Sequence, residues 1–277
     1  MKTNKDGSTI TIPVANGRPG ERAAWLLGNR AVCATLPLPP KEVRRLVLLG
    51  APGVGKGSQA ELLHLWCGAC HLSTGDIFRA AKGLPPGERT PALESALGCM
   101  ARGELVPDET VIAMVRERLR CLRCAAGFLL DGFPRTVAQA EALERLLKAD
   151  DLPLDAVLDY ELDTDQIVER LAGRRVCASC KDVFNVKDKR AAAGICPHCG
   201  GQLYQREDDR PAAIRVRMET YHRNTAPLIQ YYRQRGLLLT IPADGTPAEI
   251  LERSVAALDA HPHPRSANPN GSASRAG

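Results

Sequence analysis

The chain has 277 residues, 44% of them apolar and only 4% aromatic, with a formal net charge of +5. That supplies a packed core filled by aliphatic side chains, in one large domain or one domain with insertions. The small, scattered positive excess excludes a massed basic surface and suits anionic small molecules at least as well as nucleic acid. No apolar run approaches the roughly 18 residues of a membrane span, so the chain reads as soluble and cytoplasmic.

In chain order, residues 1–42 mix Gly, Pro, Thr and Asn and close on PLPP at 37–40. They lack the pattern of a secretory signal and are expected to form a disordered or loosely ordered extension, with a transit peptide or an upstream start codon as the other readings. The apolar run 45–49 then predicts a strand. It leads into Gly50-Ala51-Pro52-Gly53-Val54-Gly55-Lys56-Gly57-Ser58 and the helix-favouring residues 59–63. Strand, glycine-rich turn and helix start in that order make a phosphate cradle. Gly53 and Gly55 let backbone N–H groups turn inward, the helix N-terminus adds positive partial charge, and Lys56 reaches the outer phosphates. Gly57 occupies the position where most such loops carry Ser or Thr, so Ser58 must supply any hydroxyl near Mg²⁺. The bland reading of the same stretch is an ordinary tight turn.

Further strands are predicted at 70–73, 127–131, 156–162 and 237–241, separated by segments with helical spacing. Such alternation implies an α/β fold with a parallel sheet between helices, and ligands gather at the carboxyl ends of its strands. Three polar motifs fall at such ends: 50–58, Thr74-Gly75-Asp76, and Gly132-Phe133-Pro134-Arg135. The segment 176–205 breaks the pattern. It carries Cys177 and Cys180, then Cys196 and Cys199, two Cys-x2-Cys hooks at the spacing of a zinc ribbon. Four thiolates make a closed tetrahedral site, so the metal reads as structural. About thirty residues bury little core, and zinc binding supplies the missing folding energy. Disulfides and unrelated surface thiols are the alternatives. A second pair of hooks, Cys67 with Cys70 and Cys121 with Cys124, precedes the strands at 70–73 and 127–131. Its readings are buried thiols acting as small apolar residues, a second structural zinc site, or a disulfide. Residues 261–277, rich in Pro, Ser, Asn and Gly, are expected to be a disordered tail.

The blocks GAPGVGKGS (50–58), LSTGDIFR (72–79), GFLLDGFPRT (127–136) and YHRNTAPLI (221–229) stand in one order in this chain. Together they resemble the adenylate kinase family in its long-lid form, over about residues 43–257. The resemblance implies a P-loop nucleoside monophosphate kinase with a five-stranded parallel sheet, a kinase core at 43–260, an AMP-binding arm at 73–106 and a zinc lid at 175–212. It implies transfer of the terminal phosphoryl group of ATP to AMP, giving two ADP, with Mg²⁺ bound, in a protein that is a monomer and binds neither nucleic acid nor membrane.

The resemblance also assigns roles. Gly53, Val54, Gly55, Lys56, Gly57 and Ser58 wrap the ATP phosphates. Thr74 meets the acceptor adenine, Arg79 grips the AMP phosphate, and Glu104, Leu105 and Val106 line the acceptor pocket. Gly132, Phe133, Pro134, Arg135 and Gln139 complete it, with Arg135 on phosphate and Gln139 on the base. Asp131 organises Mg²⁺ through water. Arg170 and Arg174 clamp the ATP side, and Val183 and Phe184 belong to the lid hairpin that covers it. Arg206 and Arg217 close over the phosphates being transferred, oriented by Asp208 and Asp209. The reaction needs this charge, because the nucleotides repel each other before any bond changes. Other readings are a kinase for another nucleoside monophosphate, a P-loop module whose zinc ribbon binds nucleic acid, and a nucleotide sensor without catalysis. The first is disfavoured by Thr74 and Gln139, the second by a ribbon poor in aromatics, the third by intact Lys56, Arg135, Arg206 and Arg217. Extra residues at 83–91 lengthen the acceptor arm, a difference expected to leave specificity unchanged.

Overall fold

A computed structural model describes residues 43–75, 77–78, 91–102, 104–116, 122–191 and 193–261. The N-terminal extension, the tail beyond 261, Arg79, Cys121 and most of the lengthened arm lie outside the described residues. The main sheet has five strands, β1 (Arg44–Gly50), β2 (Cys70–Ser73), β3 (Gly127–Asp131), β4 (Ala156–Glu161) and β8 (Leu238–Pro242), in the order β2-β3-β1-β4-β8. Every pairing is parallel, as the alternating pattern implied.

Parallel strands covered on both faces read as near-continuous apolar runs, and β1 is buried along its whole length. Successive side chains of β1 serve opposite faces. Leu46 and Leu48 join Leu129, Leu158 and Tyr160 under α1 (Lys56–Cys67) and α8 (Pro247–Ala260). Val47 and Leu49 join Phe128, Leu130 and Val157 under α3 (Asp108–Arg116), α4 (Val137–Ala149) and α7 (Pro227–Arg233), with α2 (Pro91–Arg102) packed beside them. Each fully buried aliphatic side chain contributes about 1.5–3 kcal/mol. Two of these helices start where a side chain satisfies their first N–H groups. Thr136 caps α4, and Thr246 with Glu249 forms a capping box on α8.

A second, antiparallel sheet, β6-β5-β7, is built from β5 (Arg174–Cys177), β6 (Val183–Asn185) and β7 (Leu203–Tyr204). It is inserted between α5 (Thr164–Gly173) and α6 (Pro211–Thr220). Ile167 and Leu171 of α5 and Ile214 of α6 pack on Ala51, so both roots of the insertion rest on the glycine-rich loop. After α6 the chain passes through a π turn, Tyr221–Thr225, into α7. No helix among the described residues is long and apolar enough to cross a membrane.

Candidate active site

The loop from β1 to α1 is shaped by backbone conformations that side chains resist. Gly53 has φ +87°, and a Cβ there would stand 2.5 Å from Cγ of Leu171, so the loop and α5 meet this closely only over glycine. Gly55, at φ 112°, caps α1 with no side-chain hydrogen bond, and the first turn of α1 carries no acidic residue. Its leading N–H groups are therefore left to an anion. Lys56 donates from Nζ to the carbonyls of Gly50 and Ala51, at 2.6 and 2.9 Å. Burial pulls its ammonium down to about 8; Asp131 opposes that shift, and Arg135 and Arg217 add to it. A cation crowded by cations is a site waiting for negative charge.

Lys56, Ser58 and Asp131 share one cleft of about 900 Å³ with Arg135, Arg170 and Arg174. Arg206 and Arg217 line it too, as do Val183 and Phe184 from the small sheet and Gly53 through Gly57 from the loop. A Cβ on Gly57 would lie 3.7 Å from Oδ2 of Asp131, so that carboxylate faces the start of α1. The arginines are held in place. Arg170 donates to the carbonyls of Val54 and Ala243, at 3.2 and 3.1 Å, tying α5 to the glycine-rich loop. Asp209, with 0% of its surface exposed, takes two hydrogen bonds from Arg174, one of them 2.7 Å long, and one of 3.2 Å from Arg217. Arg217 also lies 3.1 Å from the carboxylate of Asp208, and burial lowers its pKa. Asp208 and Asp209 thus stand against two of the predicted cations.

Beside this cleft, Thr74, Glu104, Leu105, Val106, Gly132, Arg135 and Gln139 line a narrower cavity. Phe133 is buried behind it, and the Phe133–Pro134 peptide is cis. Arg135 donates from Nε to the carbonyl of Gly132 at 2.8 Å, and Thr74 donates to that same carbonyl at 2.9 Å. Gln139 is oriented at both ends: Oε1 accepts from the Arg135 N–H at 2.8 Å, and Nε2 donates to Asp108 at 2.7 Å. The second hydrogen on Nε2 remains for a ligand. Thr225 of the π turn donates to the carbonyl of Arg135 at 2.9 Å, fixing the same corner from another element.

The small sheet carries Cys177, Cys180, Cys196 and Cys199, whose sulfurs all lie within 4.8 Å of one another. Cys177 and Cys199 are 3.5 Å apart, Cys180 and Cys196 3.6 Å. Zinc–sulfur bonds of about 2.3 Å place tetrahedral thiolates about 3.8 Å apart, so the quartet fits a closed metal site. Burial raises the thiols of both Cys177 and Cys180; at Cys177 the N–H groups of Cys180 and Ser179 together with the neighbouring thiols outweigh it and lower the group, whereas Cys180 stays raised, so the quartet shares its protons unevenly. Gly201 allows the ring to close: a Cβ there would stand 2.8 Å from the Cys177 sulfur. With Phe184, Ala191 and Leu203, the buried cysteines form a core of their own.

Several neighbours of the site carry no sequence signal. Asp108 holds Gln139 and accepts from Thr136 at 2.8 Å. His71 is half-buried, with Nε2 at 3.7 Å from Asp131. Asp159, 1% exposed, has neither oxygen hydrogen-bonded within the described residues. Burial pushes it up to about 6, Glu161 adds to that, and Lys56 and Arg233 oppose it. Lys181 and His198 of the small sheet also face the cleft, His198 bonded to Asp182 at 2.6 Å.

A glycine-rich phosphate loop on the central strand of this parallel sheet, an adjoining second cavity and an arginine-bearing insertion define a nucleotide kinase of the P-loop class. A family model described as adenylate kinase matches residues 48–237. An adenylate kinase of Streptomyces avermitilis is 47% identical over 216 residues, covering 77% of this chain and 96% of that protein. Those of Acidothermus cellulolyticus and Thermodesulfovibrio yellowstonii are 48% and 46% identical, covering 77% and 78% of this chain and 97% and 99% of theirs. The chain belongs to the adenylate kinase family.

Proposed function

We propose that the cleft performs the family's reaction with a definite division of labour among its residues. The reaction is reversible, Mg²⁺-dependent transfer of the terminal phosphoryl group of ATP to AMP, giving two ADP, and serves adenine nucleotide homeostasis and salvage. The observation that carries the reading is the convergence of Lys56, Arg135, Arg170, Arg174, Arg206 and Arg217 on one cleft that also holds the carboxylate of Asp131.

On the donor side, Gly53 through Ser58 wrap the ATP phosphates with backbone N–H groups, and Lys56 leaves the carbonyls of Gly50 and Ala51 to follow the charge that moves. Arg170 and Arg174 hold the ATP side, and Val183 and Phe184 cover it. On the acceptor side, Thr74 and Gln139 read adenine, Glu104, Leu105 and Val106 wall the pocket, and Arg79 and Arg135 hold the AMP phosphate. Gly132, Phe133 and Pro134 place Arg135. Arg206 and Arg217 close over the phosphates in flight. Asp131 and the Ser58 hydroxyl, hard oxygen donors on one cleft, would hold Mg²⁺ through water, and the bound ion would screen the phosphate charges from one another. No side chain acts as nucleophile or base. Rate comes from alignment, charge stabilisation and exclusion of water, with segment 175–212 closing as a lid.

Cys177, Cys180, Cys196 and Cys199 would hold Zn²⁺ in a closed site that stiffens the lid and does no chemistry. Within this reading residues 73–106 form the AMP-binding arm on a core spanning 43–260. The protein works as a cytoplasmic monomer on ATP, AMP and ADP, not on nucleic acid or membranes. The test is ADP formation from Mg-ATP with AMP, GMP, CMP and UMP in turn, and with no acceptor as blank. Turnover with AMP alone is expected. Preference for another acceptor would overturn the roles of Thr74 and Gln139, and no turnover with any acceptor would leave a nucleotide sensor.

A further inference from the structure

Gln59 is the fourth residue of α1, next to Ser58, and takes no part in the division of labour above. It is 2% exposed and still lines the cleft. Its main-chain N–H is bonded within the helix start, to the carbonyl of Gly55 at 3.1 Å. Its side chain is oriented from one end: Nε2 donates to the carbonyl of Pro247 at 2.9 Å, joining α1 to the first residue of α8 across 188 positions. A carbonyl only accepts, so this bond settles which end of the amide is nitrogen and turns Oε1 the other way. Oε1 is buried and accepts from no donor among the described residues. A buried acceptor without a donor destabilises the fold, and such groups are rare unless a ligand or water meets them.

The wall around Gln59 is fixed. Thr246 and Glu249 cap α8 with hydrogen bonds in both directions. Arg253 donates to the carbonyls of Pro242 and Asp244, at 2.8 and 2.7 Å, and pins the turn between β8 and α8. Arg170 ties the same turn, through Ala243, to Val54 of the phosphate loop. Leu48 and Ile250, from the core under α1 and α8, line the cleft together with Gln59, Gly245 and Pro247. A largely apolar wall with one placed polar atom is how small-molecule sites orient a ring. The sheet order says which ligand that is. In β2-β3-β1-β4-β8, the acceptor cavity follows β2 and β3, on one side of β1, with Thr74, Gly132 and Arg135. The turn after β8 stands on the other side, beyond β4. A nucleotide with its phosphates on the loop after β1 and its nucleoside turned away from the acceptor cavity meets α1 and this turn.

We propose that Gln59 is a specificity-determining residue for the donor nucleotide, its Oε1 accepting a hydrogen bond from the nucleoside of ATP. The inference rests on the donor site proposed above. Two parts of that nucleoside offer a hydrogen, the exocyclic amine of the base and the ribose hydroxyls, and the apolar neighbours favour the amine. Guanine presents a carbonyl oxygen where adenine presents that amine, so two acceptors would face each other. The last torsion of a glutamine side chain is broad, so the amide turns toward its ligand without leaving a rotamer well.

The test titrates the full-length, zinc-loaded protein with the Mg²⁺ complexes of ATP, purine riboside triphosphate, GTP and ATP lacking either ribose hydroxyl, and repeats the series with Gln59→Leu. Wild-type protein should bind purine riboside triphosphate, which lacks only the amine, about 10-fold more weakly than ATP, and GTP more weakly still. Gln59→Leu should weaken ATP about 10-fold and leave purine riboside triphosphate unchanged, because the hydrogen it would have met is already gone. If one of the deoxy analogues shows that pattern instead, the same hydrogen bond falls on the ribose. Equal weakening of every donor by Gln59→Leu would overturn the proposal, since the bridge to Pro247 would then account for the residue. So would wild-type affinities indifferent to loss of the amine and of either hydroxyl, a series that stands by itself if the variant folds poorly. AMP-dependent ADP formation with such indifference would remove the role of Gln59 alone. Selective binding of ATP without ADP formation would remove the reaction and keep the role of Gln59.

Discussion

The two walls of the cleft are built by different physics. The phosphate loop rests on a parallel sheet buried on both faces, and its charged group, Lys56, is bonded to backbone carbonyls of the same loop. The facing insertion has a three-stranded sheet, a core of Phe184, Ala191 and Leu203 with cysteines, and Arg174 at its root depends on a carboxylate, Asp209, thirty-five positions away. One wall is fixed by apolar burial whether or not a ligand is present. In the proposed reading the other gains its order from a metal in the cysteine quartet and from ion pairs that a bound phosphate can replace. The closure proposed above would need this inequality: a rigid base that defines where the phosphates lie, and a separately stabilised lid that can leave and return.

Removing charge from the rigid wall should have the largest effect. Lys56→Met is expected to lower kcat about 1,000-fold, measured by coupled ADP formation. The same group sets a pH dependence. Its folded value of about 8 lies below the value of about 10.4 for an unfolded lysine, so the charged form is disfavoured by folding. Stability of the nucleotide-free protein should therefore rise between about pH 8 and pH 10 through this group, and ATP affinity, which needs the ammonium, should fall over the same interval. Thermal denaturation and nucleotide titration across pH 7–10 would detect both, and Lys56→Met should remove both.

Next comes the wall proposed to depend on a metal. Cys177→Ser should lower AMP-dependent turnover about 100-fold while the far-ultraviolet circular dichroism of the large sheet and its helices persists; loss of both would mean that the two walls fold as one unit. Asp209→Asn tests the junction between them. It leaves Arg174 and Arg217 without a buried counter-charge, so kcat/KM should fall roughly 10- to 100-fold and stability by about 3 kcal/mol, read by steady-state kinetics and urea denaturation. The smallest effect belongs to the acceptor corner of the rigid wall. Gln139→Leu should raise KM for AMP about 10-fold with KM for ATP unchanged, because one base-reading hydrogen bond is lost while the helix cap remains. Asp108→Asn should do the same more weakly.

What the sequence made legible follows this division as well. The five strands were readable because strands buried on both faces are unbroken apolar runs, and the phosphate loop because its glycines and Lys56 sit at fixed local spacing. The cysteine quartet was readable for the same reason, since each hook is local. The contacts that orient the site were not. Asp108 finds Gln139 across thirty-one positions, and Thr225 reaches Arg135 across ninety through a π turn that no periodicity announces. His71 and Asp159 look like ordinary polar residues in strands, and only the stacking of β2 on β3 and of β4 on β1 brings them under the nucleotide cleft. The second cysteine hooks were visible, but their pairing was open, because spacing alone does not say which sulfurs meet.

The most direct test of the two-wall account is ADP formation from Mg-ATP, with and without AMP, by the zinc-loaded protein and by the same protein stripped of metal with a chelator. The account expects AMP-dependent turnover in the loaded protein and its loss by about 100-fold on stripping, with the circular dichroism of the main sheet and helices retained. Undiminished AMP turnover by metal-free protein would contradict it, because the lid would then contribute neither order nor charge to the reaction.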